Sequence, residues 1–387
     1  IESKYEIVKI GQIAQTQYGY TDKATDKGEI RYLRITDLND DGSINLANDA
    51  KFITPSDEVK SQFLLKNNDI VIARSGSVGK SAIYKSDKYD QMIFASYLIR
   101  LIINTEKVFP HYLFNFTKTK MYWNQVEANS TAVTQPNLNA EKIKEFQIPL
   151  PPKDIQQKIV AEIEVLEKKE EEATLVIKEM KGQLAKICSS YFEKSDLLVK
   201  IQDITELTQY GISKGLNTYD KGYKIFRMNE IINGKMVDNG KMKHVNISEE
   251  EFLKFKLEKG DILFNRTNSI ELVGKTGIFD LNGDYCFASY LIRLKVKKEK
   301  AVSKFLNLLM NSDIFLNNAR ANASKAVKQA NINAEKLRNF YLPIPPIAEQ
   351  KKIVDGIELL EHKISNLEKQ IADIPKKKEQ ILNKYLN

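Results

Sequence analysis

The segment RSGSVGKS occupies Arg74–Ser81, directly after the apolar run DIVIA. A glycine-bearing loop that ends in Gly-Lys-Ser behind a strand is the pattern that cradles nucleotide phosphates on backbone N–H groups. The full pattern needs a glycine where Arg74 stands, so the match is partial. Other reactive constellations are sparse. PSDEVK places Glu58 and Lys60 in a Glu-x-Lys spacing like that of many nucleases, but its acidic partner would have to be the adjacent Asp57. The two cysteines, Cys188 and Cys286, and the three histidines, His111, His244 and His362, are scattered singly. They offer neither a disulfide framework nor metal-ligand spacing, and a reducing compartment fits them. No metal site and no catalytic residue are expected.

The elements that position these residues occur twice. FASYLIR stands at Phe94–Arg100 and again at Phe287–Arg293, an offset of 193. KIGQIAQTQYG (Lys9–Gly19) returns as KIQDITELTQYG (Lys200–Gly211), and QPNLNAEKIKEFQIPLPP (Gln135–Pro152) as QANINAEKLRNFYLPIPP (Gln329–Pro346). QQKIV (Gln156–Val160) returns as QKKIV (Gln350–Val354). The period far exceeds that of solenoid repeats, so a whole domain is duplicated and a pseudo-twofold molecule is expected. In the second copy the opening stretch reads RTNSIELVGKTG (Arg266–Gly277). Asn268 replaces Gly76, and three residues are added between Ser269 and Val273. A phosphate cradle depends on a fixed loop length, so a P-loop-like nucleotide hydrolase is the weaker alternative.

Each copy begins with strand-like runs and polar loops, then helical patches: an α+β domain. After PLPP or PIPP comes a long amphipathic helix, because the prolines end the extended segment and favour a helix start. One apolar seam runs through Ile159, Ile163, Leu166, Val176, Met180, Leu184 and Ile187, with Glu170 interrupting it. The other runs through Ile353, Ile357, Leu360, Ile364, Leu367 and Ile371. Spacings of four and three make both coiled-coil seams. Two such helices, one per repeat, are expected to pair antiparallel, with a globular domain at each end of the rod. Pro375 should kink or break the second helix. The expected division is 1–152, a first globular domain; 153–194, a central helix; 195–346, a second globular domain; and 347–387, a C-terminal helix.

With 28% charged residues and a net charge of +8, the chain reads as a soluble globular protein suited to an acidic partner such as nucleic acid. No apolar run approaches a membrane span, and IESKYEIVKI lacks the apolar core of a signal peptide.

Two homologous variable domains, each closed by LPPKDIQQKIV or IPPIAEQKKIV and a long helix, resemble the specificity subunit of type I restriction–modification systems. IPPIAEQ is close to that family's Pro-Pro-x-x-Glu-Gln pattern, whereas the first copy has Ile155 in place of the Glu. DIVIARSGSVGKSAIY (Asp69–Tyr84) resembles a stretch of its target-recognition domains. The resemblance implies a non-catalytic cytoplasmic protein bound to double-stranded DNA, each domain reading one half of a bipartite, asymmetric target. It implies helices that set the spacer and dock two methyltransferase subunits, with restriction subunits joining them. S-adenosylmethionine, ATP and Mg would belong to those partners. A type II-like or methylation-only complex is the close variant, and a plain coiled-coil scaffold without DNA the distant one.

Candidate DNA contacts are polar loop residues, since phosphates take Arg, Lys and hydroxyl groups and base edges take Arg, Asn and Gln. They fall into four clusters. The first comprises Thr16, Gln17, Tyr18, Tyr20 and Lys23, with Tyr210 and Lys214. The second pairs Arg34 with Arg227. The third holds Arg74, Ser75, Ser77 and Lys80, with Arg266, Thr267, Asn268, Ser269 and Lys275. The fourth is Gln135 and Asn137, with Gln329 and Asn331. Tyr97, Tyr290, Arg100 and Arg293 lie inside the strand-like FASYLIR and read as structural. Half-site differences are expected in divergent loops such as Thr36–Asp49 against Asn229–Lys241.

Overall fold

The computed structural model describes residues 3–46, 49–130, 137–218, 221–326 and 329–387. The chain divides into two compact units, Ile1–Ala173 with Lys369–Asn387, and Thr174–Glu368. The division crosses both long helices. Each unit therefore holds one globular domain, the start of one helix and the end of the other.

In the first unit a four-stranded antiparallel sheet has the order Ala14–Tyr18, Leu98–Ile103, Ile70–Ala73, Ser81–Ile83. Strand Ile70–Ala73 is buried on both faces, and its period of two divides the core. Ile70 and Ile72 pack with Ile159 and Ile163 of the long helix. Val71 and Ala73 pack on the opposite side with Leu33, Met92 and Phe94. Those last residues belong to a second sheet, Phe52–Ile53, Ile30–Leu33, Met92–Phe94. In the second unit the corresponding sheet runs Thr205–Tyr210, Leu291–Val296, Ile262–Asn265, Thr276–Ile278 and continues into Lys235–Met236 and Ile231–Ile232.

Buried ion pairs recur in both sheets. Arg100 meets Asp69 at 2.6 Å and Arg293 meets Asp261 at 2.8 Å, with all four side chains nearly out of solvent. The carboxylates also accept the backbone N–H of Lys66 and Glu258. Burial drives their pKa values up, while the guanidinium partners oppose that shift.

The helices span Lys153–Phe192 and Ile347–Leu386. Each is rooted by a fully buried glutamine. Gln156 accepts from the Phe109 N–H (2.8 Å) and donates to the carbonyls of Lys107 (3.2 Å) and Pro151 (2.9 Å). Gln350 repeats the arrangement with Val302 (2.8 Å), Lys300 (3.1 Å) and Pro345 (2.7 Å). This explains why QQKIV and QKKIV recur: the glutamine fixes the helix start to the domain that precedes it.

Within each unit the helices run antiparallel. In the first, Glu162 meets Lys384 at 2.9 Å and Glu167 meets Lys378 at 3.1 Å. In the second, Lys181 meets Glu368 at 3.0 Å, and the Tyr191 hydroxyl donates to Glu349 at 2.7 Å. Ile357 and Ile364 are buried; Leu166, Met180, Leu184, Ile187, Ile353, Leu360, Leu367 and Ile371 are half-buried. Two expectations change. The seam passes through Ile177, which is 9% exposed, rather than Val176, which is 37% exposed. Counting by fours and threes from Ile163 to Ile177 shows why, because Glu170 is itself a seam residue. Facing it at 3.9 Å is Lys378, which continues the other seam past Ile374. Pro375 does not end the second helix, which continues to Leu386. Proline forfeits one helical hydrogen bond, but buried Ile374 and Leu382 pack the turns on either side. Among the described residues no helix is long and apolar enough to cross a membrane.

Candidate nucleic-acid interface

Strand pairing fixes which loops meet. Tyr18 lies opposite Ile99, Ala73 opposite Leu98, and Ile72 opposite Ser81. The end of strand Ala14–Tyr18, the loop 74–80 and the turn before Leu98 therefore share one end of the sheet. The polar segment before Ala140 joins them, since the Leu138 N–H donates to the Arg74 carbonyl and the Ala140 N–H to the Tyr18 hydroxyl. The second unit rebuilds this corner with Ile332 on Arg266 and Ala334 on Tyr210.

At each corner an arginine lies over a tyrosine ring. Arg74 is 4.9 Å from the Tyr18 centroid and Arg266 is 4.8 Å from that of Tyr210, within cation–π range. Arg266 also donates to the Ser289 carbonyl (3.2 Å) and to Asn331 (3.5 Å), and Asn331 donates to Thr267 (2.7 Å). Among the described residues neither arginine has a carboxylate partner. Their backbone N–H groups donate to the carbonyls of Tyr97 and Tyr290. Both tyrosines are exposed, at 62% and 49%. This corrects the placement of the two inside a strand. FASYLIR is not one strand: Phe94 ends a strand, Ala95–Tyr97 turn, and the next strand begins at Leu98. Arg100 and Arg293 of the same motif are the buried ion-pair partners described above.

The glycine-lysine loop is a hairpin. The Gly79 N–H donates to the Ala73 carbonyl and that of Gly274 to Asn265, so both amides close the turn. Both glycines have positive φ, +84° and +91°, which glycine adopts without strain. A strand, Ser81–Ile83, follows where a phosphate cradle needs a helix N-terminus. The P-loop-like hydrolase reading is thereby overturned.

The remaining candidates are dispersed. Lys80 is paired with Asp40 at 2.7 Å, and Lys214 with Glu251 at 2.5 Å. Arg34 binds Asp37 at 3.1 Å and Arg227 binds Glu230 at 2.6 Å, each bracing a short 3-10 turn on a buried carboxylate. Gln17 donates to the Gln62 carbonyl and accepts from Arg100. Tyr20 is half-buried against Phe63. Thr16 is a half-buried strand residue, and Lys23 is exposed. Ser77 is exposed, whereas Ser75, Ser269 and Lys275 are half-buried. Thr267 and Asn268 pair with Asn331 and Ala330 in a small sheet, beside exposed Gln329. Asn137 is exposed, and Gln135 lies outside the described residues. Lys60 of PSDEVK is taken up by Glu29 at 2.6 Å.

The divergent segments Thr36–Asp49 and Asn229–Lys241 dock toward the other end of the hairpin strand. The Ile83 N–H donates to the Gly42 carbonyl and that of Ile278 to Gly234.

The molecule is thus a duplicated, mixed α/β protein. It carries one basic aromatic corner per domain and a 40-residue helix after each domain. The chain belongs to the type I restriction modification DNA specificity domain family, whose model matches residues 2–178 and again 197–376. It is 26% identical over 342 residues to the EcoKI specificity subunit of Escherichia coli K12, covering 82% of this chain and 73% of that one. It is 30% identical over 187 residues to a putative MjaX specificity subunit of Methanocaldococcus jannaschii. That match covers 48% of this chain and spans only 44% of the relative's length. Among solved structures, one from a study of complex assembly and conformational transition in a type I R-M system gives a TM-score of 0.60 at 16% identity, covering 100% and 98% of the two chains. The S subunit of a type I system from M. genitalium gives 0.56 at 14% identity, covering 100% and 97%.

Proposed function

We propose that this chain is the DNA-reading, non-catalytic subunit of a type I restriction–modification complex in the cytoplasm. Each domain reads one half of a bipartite, asymmetric DNA target. The paired helices set the spacer and dock two methyltransferase subunits, to which restriction subunits add. The supporting observation is the basic aromatic sheet corner built twice, in domains whose other loops differ. The hairpin loops beside the arginines differ by three residues, Ile270–Leu272 being extra in the second. Half-site discrimination falls to these loops, with Ser75 and Ser77 against Thr267, Asn268 and Ser269, and with Asn137, Gln329 and Asn331 nearby. Thr16, Gln17, Tyr20, Lys23, Arg34, Lys80, Gln135, Lys214, Arg227 and Lys275 are secondary candidates, since most hold fold contacts or lie at the margin.

The test is methylome sequencing of a host that expresses this chain with its methyltransferase subunits. The expected result is one bipartite adenine-methylated motif. Exchanging residues 1–152 for another recognition domain should change one half-site only. A motif without a fixed spacer, or a change in both halves, would refute the reading.

A further inference from the structure

We infer that the two Tyr–Arg corners grip DNA phosphates in the same, sequence-independent way on both half-sites, with Tyr97 and Tyr290 as further contacts. This rests on the DNA-reading function proposed above and concerns which part of the DNA these residues touch.

Three observations carry it. First, the corner arginines combine a tyrosine ring beneath the guanidinium with no carboxylate partner among the described residues. Arg34, Arg100, Arg227 and Arg293 each meet a carboxylate. Arg74 and Arg266 meet none among the described residues, although both are half-buried. A guanidinium in that setting, held over a tyrosine ring, is positioned for an external anion. Second, Tyr97 and Tyr290 are large side chains left open to solvent at the very turn whose carbonyl anchors the arginine. Each directly precedes a core strand whose first residue, Leu98 or Leu291, is fully buried. Third, both copies repeat the arginine–tyrosine stacking, the backbone hydrogen bonds of the arginine and the bond to the tyrosine hydroxyl, whereas the surrounding loops differ in length and type. Two domains reading different base sequences share only the sugar–phosphate backbone as a target, and backbone contacts are made by arginine and tyrosine hydroxyl groups. Base readout would demand that the corners differ.

The experiment measures binding of the full chain to a random-sequence duplex and to a duplex selected by the wild-type chain, across a salt series. Arg74→Gln should weaken binding to both duplexes by about tenfold and lower the salt slope by about one; Arg74→Gln with Arg266→Gln should lower it by about two. Arg74→Lys should retain the slope, which separates loss of charge from loss of fold. Tyr97→Phe with Tyr290→Phe removes only two hydroxyls, so both duplexes should bind several-fold more weakly at an unchanged slope. The inference is overturned if Arg74→Gln leaves the slope unchanged, if either set lowers only the affinity for the selected duplex, or if the Phe variants bind like wild type. Failure of the wild-type chain to bind any duplex would instead sink the DNA-reading function itself.

Discussion

Replacing Gln156 with leucine should loosen the root of the first helix and nothing in the second unit. The side chain is fully buried and makes three hydrogen bonds to backbone groups, one as acceptor and two as donor. Leucine fills nearly the same volume and makes none. The largest loss is the stranded Phe109 N–H, since an unsatisfied buried donor costs about 1–3 kcal/mol. The carbonyls of Lys107 and Pro151 lose a partner as well, but each keeps a second lone pair, so the total should be about 2–4 kcal/mol. A chain with two units need not unfold in one step, so the readout is local: hydrogen exchange at the Phe109 amide. A loss of about 3 kcal/mol accelerates exchange through local opening on the order of a hundredfold. The Val302 amide, which bonds Gln350 in the same way, should be unchanged. Gln350→Leu should give the reverse pattern. Unchanged exchange at Phe109, or equal acceleration at both amides, would refute the idea that each glutamine roots its own helix.

Two further predictions concern charges placed where apolar groups would be expected. Burial lowers the Lys118 pKa to about 8 from an ordinary 10.5, so the unfolded chain holds more protons than the folded one between those values. Stability of the first unit should therefore rise as pH climbs from about 8 to 10.5. Lys118→Met should abolish that rise in chemical denaturation of the full chain; persistence of the rise would place its origin elsewhere. At the seam, Glu170 faces Lys378, and burial raises the glutamate's pKa. Lys378→Met alone should destabilise the helix pair more than Glu170→Leu with Lys378→Met, because the single change leaves a lone charge in the seam. Melting temperatures of the two variants and the wild type decide it, and a double variant less stable than the single one would contradict the pairing.

The duplication, the α+β domains and both helix starts were legible because they are written as long, ordered identities and as proline followed by heptad spacing. A seam through Val176 fails because Glu170 is a member of the seam rather than an interruption of it. Strict spacing would have led to Ile177. Pro375 misled for a related reason: the local penalty is real, but tertiary packing of Ile374 and Leu382 outweighs it. The Asn233-Gly234 hairpin that extends the second sheet carries the strongest short-range turn signal a sequence can show, with φ of +49° and +76° at the two residues. Divergence of this segment from the first copy obscures the signal. The pairing of half-buried Arg34 and Arg227 with buried carboxylates has no comparable signal. Asp37 and Glu230 differ in length, and only three-dimensional placement shows both bracing a turn.

Exposure and sharing, taken together, separate roles that neither separates alone. Gln156/Gln350 and Arg100/Arg293 are shared between the copies and buried, so their identity is set by backbone groups and carboxylates they must satisfy. Lys118 and Asn311 occupy the same place but differ, and each still reaches the backbone of the equivalent strand: Lys118 the Ser81 carbonyl, Asn311 the Thr276 carbonyl. The fold tolerates that exchange because the partner is a main-chain oxygen that either donor can satisfy. Among the described residues no such partner accounts for Tyr97 and Tyr290. They are shared yet exposed, and burial cannot explain why the same aromatic residue stands at both turns. A residue that the fold does not require in two divergent domains is best explained by something outside the chain that is the same at both sites, and a polyanionic backbone meets that condition where a base sequence does not.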